Sequence, residues 1–129
     1  LGVSIIGYKT EAFPDFYTRD SGLSVDFTVN SDKDMAKIIN TKNELGLQVG
    51  TLIANPIPAE SSMEPTYIKN KIKEAIEASL AEGIKGKAVT PFLLAYLHEH
   101  TQGKTVVANK ALVFNNAKVA AQIAVELCK

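Results

Sequence analysis

The sequence has no tryptophan and only one cysteine, Cys128, next to its C-terminal end. One cysteine excludes a disulfide framework within the chain and is typical of a reducing compartment, so we expect a cytoplasmic protein. No histidine lies near Cys128 in the sequence, and a catalytic thiol needs a partner that lowers its pKa. We therefore predict an inert thiol.

The sequence also has no excess of positive or negative charge. The 129 residues include 14 basic and 14 acidic side chains, so the formal net charge is zero. This balance gives no electrostatic reason to expect a nucleic acid polymer or an anionic membrane as partner. No apolar run approaches the roughly 20 residues that a membrane-spanning helix needs. The start of the chain lacks a signal-peptide pattern and an initiator methionine, and its first residues resemble a strand already under way. We expect a piece of a longer protein.

Short β-branched runs alternate with amphipathic segments along the chain. The runs predict buried strands at residues 2–8, 23–29 and 49–56. Ser31 with Asp34 resembles a capping pair, and Gly46 is a stop signal, so a helix is expected between them. Further helices are predicted at 65–82, from a Thr90-Pro91 start to about residue 103, and from about residue 105 onward, with one helical turn at 13–17. Alternating strands and helices predict the α/β class.

The first candidate site is the loop Asn55-Pro56-Ile57-Pro58, which follows a predicted buried strand. Loops at the carboxyl ends of strands are where α/β sheets gather their ligands. Two prolines would hold the Asn55 amide in a fixed direction. A rigid strand-to-helix connection explains the same residues equally well.

The other polar candidates are weaker. His98 and His100 are two residues apart on a helix, face different directions and predict no zinc site. Glu11, Asp15 and Asp20 could do acid–base chemistry, but acidic residues in loops are usually solvated. The cations Lys9, Arg19 and Lys87 could meet a phosphate, although no phosphate-binding loop is present. Residues 83–91 place two glycines and two lysines before a helix N-terminus, an arrangement that is more often a plain turn.

Three asparagines in the last helix raise a separate question, because a buried amide without a partner costs about 1–3 kcal/mol. At about 100° per residue, Asn116 falls within the apolar stripe with Val113, Ala120 and Ile123. Asn115 falls on the solvated face with Lys118 and Gln122. The sequence predicts that Asn109 and Asn116 point inward and that Asn115 faces water.

Four stretches together resemble one known family. They are GVSIIGYKTEAFPDFYTRDSGLSVD, LIANPIPAE, GIKGKAVTPFLLAYL and ANKALVFNNAKVAAQIAV. Their order and spacing resemble the C-terminal part of the pseudouridine-5′-phosphate glycosidase family, also called indigoidine synthase A-like. The resemblance implies an α/β/α sandwich with a mixed sheet, of which residues 1–129 form the C-terminal part of a single domain. It also implies a homotrimer.

The resemblance further implies an enzyme that reversibly splits pseudouridine 5′-phosphate into uracil and ribose 5-phosphate. In this family a lysine forms a Schiff base with the opened ribose, a glutamate is the general acid, and an aspartate holds Mn²⁺ through water. None of these three has a matching position here, and neither Lys9 nor Lys87 occupies the lysine's motif. The chain alone is therefore expected to hold no catalytic or metal-binding residue and to be inactive. One substrate-binding asparagine of the family matches Asn109.

Two alternatives to an enzyme part stay open. The chain could be a free-standing, non-catalytic α/β domain that provides an oligomer surface or a wall of a sugar-phosphate site. It could also be an unrelated α/β domain that binds sugar phosphates without any dependence on Asn109.

Overall fold

The computed structural model describes residues 2–129 and contains three strands and four α-helices. The strands are β1 (Ser4–Tyr8), β2 (Phe27–Val29) and β3 (Thr51–Ala54). The helices are α1 (Asp32–Glu44), α2 (Pro65–Ala81), α3 (Val89–His100) and α4 (Lys104–Leu127). Short 3₁₀ turns at Ala59–Ser61 and Gly86–Ala88 precede α2 and α3. The α/β prediction is confirmed.

The strands form a parallel sheet in the order β2-β1-β3. Ile6 in the central strand is level with Phe27 on one side and Ile53 on the other. All three strands therefore end at the same edge of the sheet. Lys9 and Asn55 follow two adjacent strands directly, so they emerge side by side.

Two hydrophobic clusters make up the core, and α4 contributes to both. One lies on the sheet beneath α1 and the second half of α4, and it contains Ile6, Tyr8, Val29, Met35, Val119 and Ile123. The other joins α2, α3 and the first half of α4, and it contains Tyr17, Ile57, Ile68, Ala75, Leu97, Ala108 and Leu112. The two clusters meet along α4 between Leu112 and Val119. The loop after β3 reaches the helix at this junction.

The structure changes three of the predicted segments. Residues 13–17 do not form a helical turn, since the Phe13 carbonyl, which a turn would pair with the Tyr17 N–H, accepts from the Ser21 N–H at 3.0 Å. The strand predicted at 23–29 is regular only from Phe27, because the Asp26 carboxylate accepts the Ile5 N–H at 2.8 Å and replaces a ladder bond. Helix α3 begins at Val89, directly after a 3₁₀ turn, so Thr90 is not its N-cap.

The capping pair at the start of α1 is confirmed. Ser31 is the N-cap, its hydroxyl accepts the Asp34 N–H at 3.1 Å, and the same hydroxyl donates to the Asp34 carboxylate at 2.6 Å. Gly46 follows the helix with φ +68°, a conformation that favours glycine. These local signals bound the helix that covers one face of the sheet.

Replacing Ser31 with alanine should lower the free energy of unfolding by about 1 kcal/mol, because it removes the acceptor of a helix N–H. Ser31→Thr keeps an acceptor and should cost less than half as much. Urea denaturation of the natural, full-length protein measures both changes. Equal stability of the alanine and threonine variants would show that the cap contributes nothing.

Candidate functional site

A polar cleft of about 270 Å³ lies at the carboxyl edge of the sheet, between the ends of β1 and β3 and the middle of α4. Its polar lining includes Tyr8, Lys9, Arg19, Asn55, Asn115 and Lys118. We call it the cationic cleft, because three cations line it and, within residues 2–129, no carboxylate does. Its volume is near the lower end of the range for small-molecule sites.

Lys9 is held at the mouth of this cleft by an unusual backbone conformation. Its φ is +57°, which is uncommon for a residue other than glycine, and its N–H donates to the Val29 carbonyl at 2.8 Å. Its ammonium group lies 4.9 Å from the centre of the Tyr8 ring. Such backbone conformations cluster at functional sites.

Tyr8 lines the cationic cleft next to Lys9. Its side chain is buried, and its hydroxyl donates to the Asp32 carboxylate at 2.5 Å. Burial raises the pKa of the Tyr8 phenol above 10.0, the hydrogen bond to Asp32 adds to the rise, and Lys9 opposes it. The phenol therefore stays protonated at neutral pH and keeps donating to Asp32. Through this contact α1 helps to position the end of β1.

Arg19 and the loop after β3 hold each other in place. The Arg19 guanidinium donates to the carbonyl of Ile57, whose side chain is fully buried. Pro56 is also buried, so the loop is anchored in the core while its polar edge faces the cleft. The loop that the sequence singled out as a candidate ligand site therefore does line a cleft.

Two asparagines of α4 bind the same loop. The Asn55 amide donates to the side-chain oxygen of Asn116 at 2.8 Å, and the Asn115 amide donates to the carbonyl of Pro56 at 3.2 Å. We call this pair of hydrogen bonds the asparagine clasp. It ties α4 to the end of β3.

The clasp corrects two predictions about these asparagines. The sequence predicts that Asn115 faces water, but the residue is half-buried and its amide donates to the loop. Asn116 continues the buried line of Leu112, Val119 and Ile123, as its helical phase requires, yet its side chain is exposed. The reason is that Asn116 lies at the junction of the two core clusters, where it borders an open groove.

That groove is lined by both Asn55 and Asn116, whereas the cationic cleft is lined by Asn55 alone of the two. It measures about 480 Å³ and is mainly apolar, with Phe13, Phe16, Leu52, Leu112, Ala120 and Ile123 among its lining residues. We call it the apolar groove. The cleft and the groove share Asn55 and Val119 as lining residues.

Asn109, the predicted substrate-binding residue, lies elsewhere on α4. It is half-buried, follows the buried Ala108, and is not among the residues that line the cleft or the groove. Six residues of helix place it about 9 Å from Asn115 along the axis. Among residues 2–129 its side chain has no hydrogen-bond partner.

The remaining candidates do not join this site. His100 stacks on Tyr96 with ring centres 3.7 Å apart, and both His98 and His100 are exposed at the end of α3. Lys87 is exposed in the turn before α3, and Cys128 is exposed at the end of α4. Asp15 borders the apolar groove, while the Asp20 carboxylate accepts the Gly22 N–H within its own loop.

Across residues 2–129, no three His, Cys, Asp or Glu side chains come together as metal ligands. No helix in that range has the length and hydropathy needed to cross a bilayer.

The sequence did not identify Lys118 as a site residue. It placed Lys118 and Gln122 on the solvated face of the last helix, and that face turns out to border the cleft. The spacing of Asn115, Lys118 and Gln122 on one polar face was the available signal. What the sequence could not show is which strand end this face meets.

Comparison with known proteins connects this chain to a family. The family model described as "Indigoidine synthase A like protein" matches residues 1–126. Pseudouridine-5′-phosphate glycosidase of Caldanaerobacter subterraneus is 53% identical over 129 residues, which cover 100% of this chain and 42% of that protein. The enzyme of the same name from Brachyspira hyodysenteriae is 49% identical over 124 residues, covering 96% and 40%. The chain thus spans about two fifths of these relatives.

Solved structures agree with this result. An indigoidine synthase A-like protein from Thermotoga maritima superposes with a TM-score of 0.84 at 32% identity, covering 98% of this chain and 41% of that one. Prealnumycin C-glycosynthase AlnA, solved in complex with ribulose 5-phosphate, gives a TM-score of 0.85 at 25% identity with the same coverage, 98% and 41%. Because the family model matches almost every residue and the fold agrees, this chain belongs to the indigoidine synthase A-like family.

Proposed function

We propose that this chain is the C-terminal part of an enzyme that reversibly cleaves the C–C glycosidic bond of pseudouridine 5′-phosphate to uracil and ribose 5-phosphate. The observation that carries the proposal is 53% identity along the full chain to a glycosidase of that name. The cationic cleft supports it, since amides, cations and a stiff loop at one sheet edge are suited to a polar sugar phosphate.

The chemistry explains why this chain needs a partner segment. Protonating a leaving oxygen, as ordinary glycosidases do, cannot break a C–C bond. A lysine Schiff base at the sugar carbon supplies the electron sink that such a cleavage requires. We assign that lysine, the acidic glutamate and the metal-binding aspartate to a region outside residues 1–129. Lys9 is committed to the cleft mouth beside Tyr8, and Lys87 lies in an exposed turn.

Manganese belongs to the proposal only through the family. We assign its aspartate ligand to a region outside residues 1–129; among the described residues, no three His, Cys, Asp or Glu side chains come together. When bound, the ion would neutralise negative charge on the substrate. The roles left for this chain are to orient substrate through Asn109 and to form one wall of its site.

A homotrimer is also part of the proposal. Large apolar side chains lie in the open, among them Phe27 at 68% and Phe114 at 74% exposure. Surfaces of this kind usually meet other protein surfaces. The alternative of a non-catalytic domain with an oligomer surface shares this feature, so turnover is what separates the two.

The natural, full-length protein should release uracil from pseudouridine 5′-phosphate. Borohydride added with ribose 5-phosphate should trap a covalent adduct, because reduction fixes a Schiff base. Peptide mapping by mass spectrometry should place the adduct outside residues 1–129. An adduct on Lys9 or Lys87 would refute the assignment of the nucleophile, and binding of ribose 5-phosphate without uracil release would favour the non-catalytic domain.

A further inference from the structure

We infer that Asp32 is a positioning residue for the cationic cleft, acting through its hydrogen bond to Tyr8 and, through Tyr8, on Lys9. Asp32 belongs to the first turn of α1 and is not among the residues that line the cleft. That the cleft receives the substrate rests on the proposed function. The link from Asp32 to the cleft rests on contacts within this chain.

The Tyr8 hydroxyl depends on Asp32 for its acceptor. Among residues 2–129 its one hydrogen bond goes to the Asp32 carboxylate, at 2.5 Å. Tyr8 is 5% exposed, so water does not readily replace that acceptor. A hydrogen bond to an ionised group is about twice as strong as one between neutral groups. The contact therefore fixes the direction of a ring that lines the cleft.

The capping of α1 does not explain this contact. Ser31 is the N-cap, and its hydroxyl bonds to the backbone N–H and the carboxylate of Asp34. Asp32 takes no part in that pair and makes no ion pair within the described residues. The helix dipole favours an acidic residue in the first turn, but Asp34 meets that preference without contacting Tyr8. The side chain of Asp32 is thus left for Tyr8.

Two hydrogen bonds hold the end of β1 against the segment that joins β2 to α1. The Lys9 N–H donates to the Val29 carbonyl at 2.8 Å, and the Tyr8 hydroxyl donates to Asp32, just beyond Val29 in the chain. Lys9 is held there at φ +57°, with its ammonium group 4.9 Å from the centre of the Tyr8 ring, within range of cation–π attraction. Loss of the Asp32 contact would free the ring and, with it, the ammonium group at the cleft.

Substitution of Asp32 in the natural, full-length protein tests this role. We expect Asp32→Ala to raise the KM for pseudouridine 5′-phosphate about fivefold, the effect of one lost hydrogen bond, and to leave kcat within about twofold of the parent value. Asp32→Asn keeps an acceptor for the phenol and should restore KM to within about twofold of the parent value. The matched control is Asp34→Ala, which also removes a carboxylate from the first turn but should leave KM unchanged.

Tyr8→Phe breaks the same contact from the other side, since it keeps the buried ring and removes only the hydroxyl. It should raise KM by about the same factor as Asp32→Ala. The double variant should have a KM less than about twofold above that of Tyr8→Phe, because both changes break one bond. Titration calorimetry with ribose 5-phosphate should give the same ratios of affinity without any turnover.

The outcomes separate this inference from the proposed function. A protein that releases no uracil, but whose affinity for ribose 5-phosphate falls in Asp32→Ala and recovers in Asp32→Asn, would support the positioning role and refute the proposed reaction. Normal uracil release with equal KM in Asp32→Ala and the parent would overturn the positioning role alone. An equal rise of KM in Asp34→Ala would overturn it too, because the effect would then belong to the helix. A parent that neither releases uracil nor binds ribose 5-phosphate would overturn both.

Discussion

Replacing Gly7 with alanine should cost about 3 kcal/mol or more of the free energy of unfolding. Gly7 lies in the central strand, and a Cβ there would be 2.0 Å from the backbone oxygen of Thr10 and 2.9 Å from a methyl group of Val25. A side chain can rotate away from a close contact, but a backbone oxygen cannot. The loop after β1 would therefore have to move. Urea denaturation of the natural, full-length protein measures the loss.

The same loop positions the cationic cleft, which gives the substitution a second consequence. The Cβ of alanine would clash with the Thr10 carbonyl, which also accepts a hydrogen bond from the Thr28 hydroxyl at 2.9 Å. Lys9, the residue before Thr10, has a φ of +57°. Because Lys9 lines the cationic cleft, displacing the loop should also raise the KM for pseudouridine 5′-phosphate in whatever fraction still folds. Gly50→Ala is the matched control, since its Cβ would meet only Val3, at 3.8 Å, and should change stability by less than about 1 kcal/mol. Equal stability of the two variants would contradict the steric argument.

Local signals were what the sequence predicted well. The helix expected at residues 65–82 is found as Pro65–Ala81, and Ser31 and Gly46 bound α1 as expected. Each of these features depends on side chains within a few residues of each other. The helical turn predicted at residues 13–17 is not formed, because the Phe13 carbonyl accepts from the Ser21 N–H, eight residues away.

The candidate site was predictable only in part, for the same reason. The Asn55 loop could be proposed because it follows a strand, and parallel strands deliver their ends to one edge. The partners of that loop come from residues 19, 115, 116 and 118, and no local pattern links them to it. Helical phase correctly placed Asn116 on the side of α4 that carries the buried residues Leu112, Val119 and Ile123. It could not show that an open groove exposes that side of the helix at Asn116. Long-range contacts decide which polar face becomes a site.

Substitution of Asn109 should reduce catalysis by roughly 10- to 1000-fold in the natural, full-length protein while changing stability by less than about 1 kcal/mol. The residue is half-buried, and its amide has no hydrogen-bond partner within residues 2–129, so alanine breaks no contact in this part of the fold. If the amide contacts substrate, its loss costs about 1.5–4 kcal/mol of transition-state stabilisation. Steady-state kinetics on pseudouridine 5′-phosphate should show kcat falling along with kcat/KM.

The asparagine clasp supplies matched controls on the same helix. Asn115→Ala and Asn116→Ala each remove one hydrogen bond to the loop after β3, so each should cost about 0.5–1.5 kcal/mol of stability. Because the loop borders the cleft, they should raise KM and leave kcat within about threefold of the parent value. Thermal melts and kinetics on the three variants therefore give opposite patterns for Asn109 and for the clasp. A loss of kcat at Asn115 or Asn116 with none at Asn109 would move the substrate contact from Asn109 to the junction of the two core clusters.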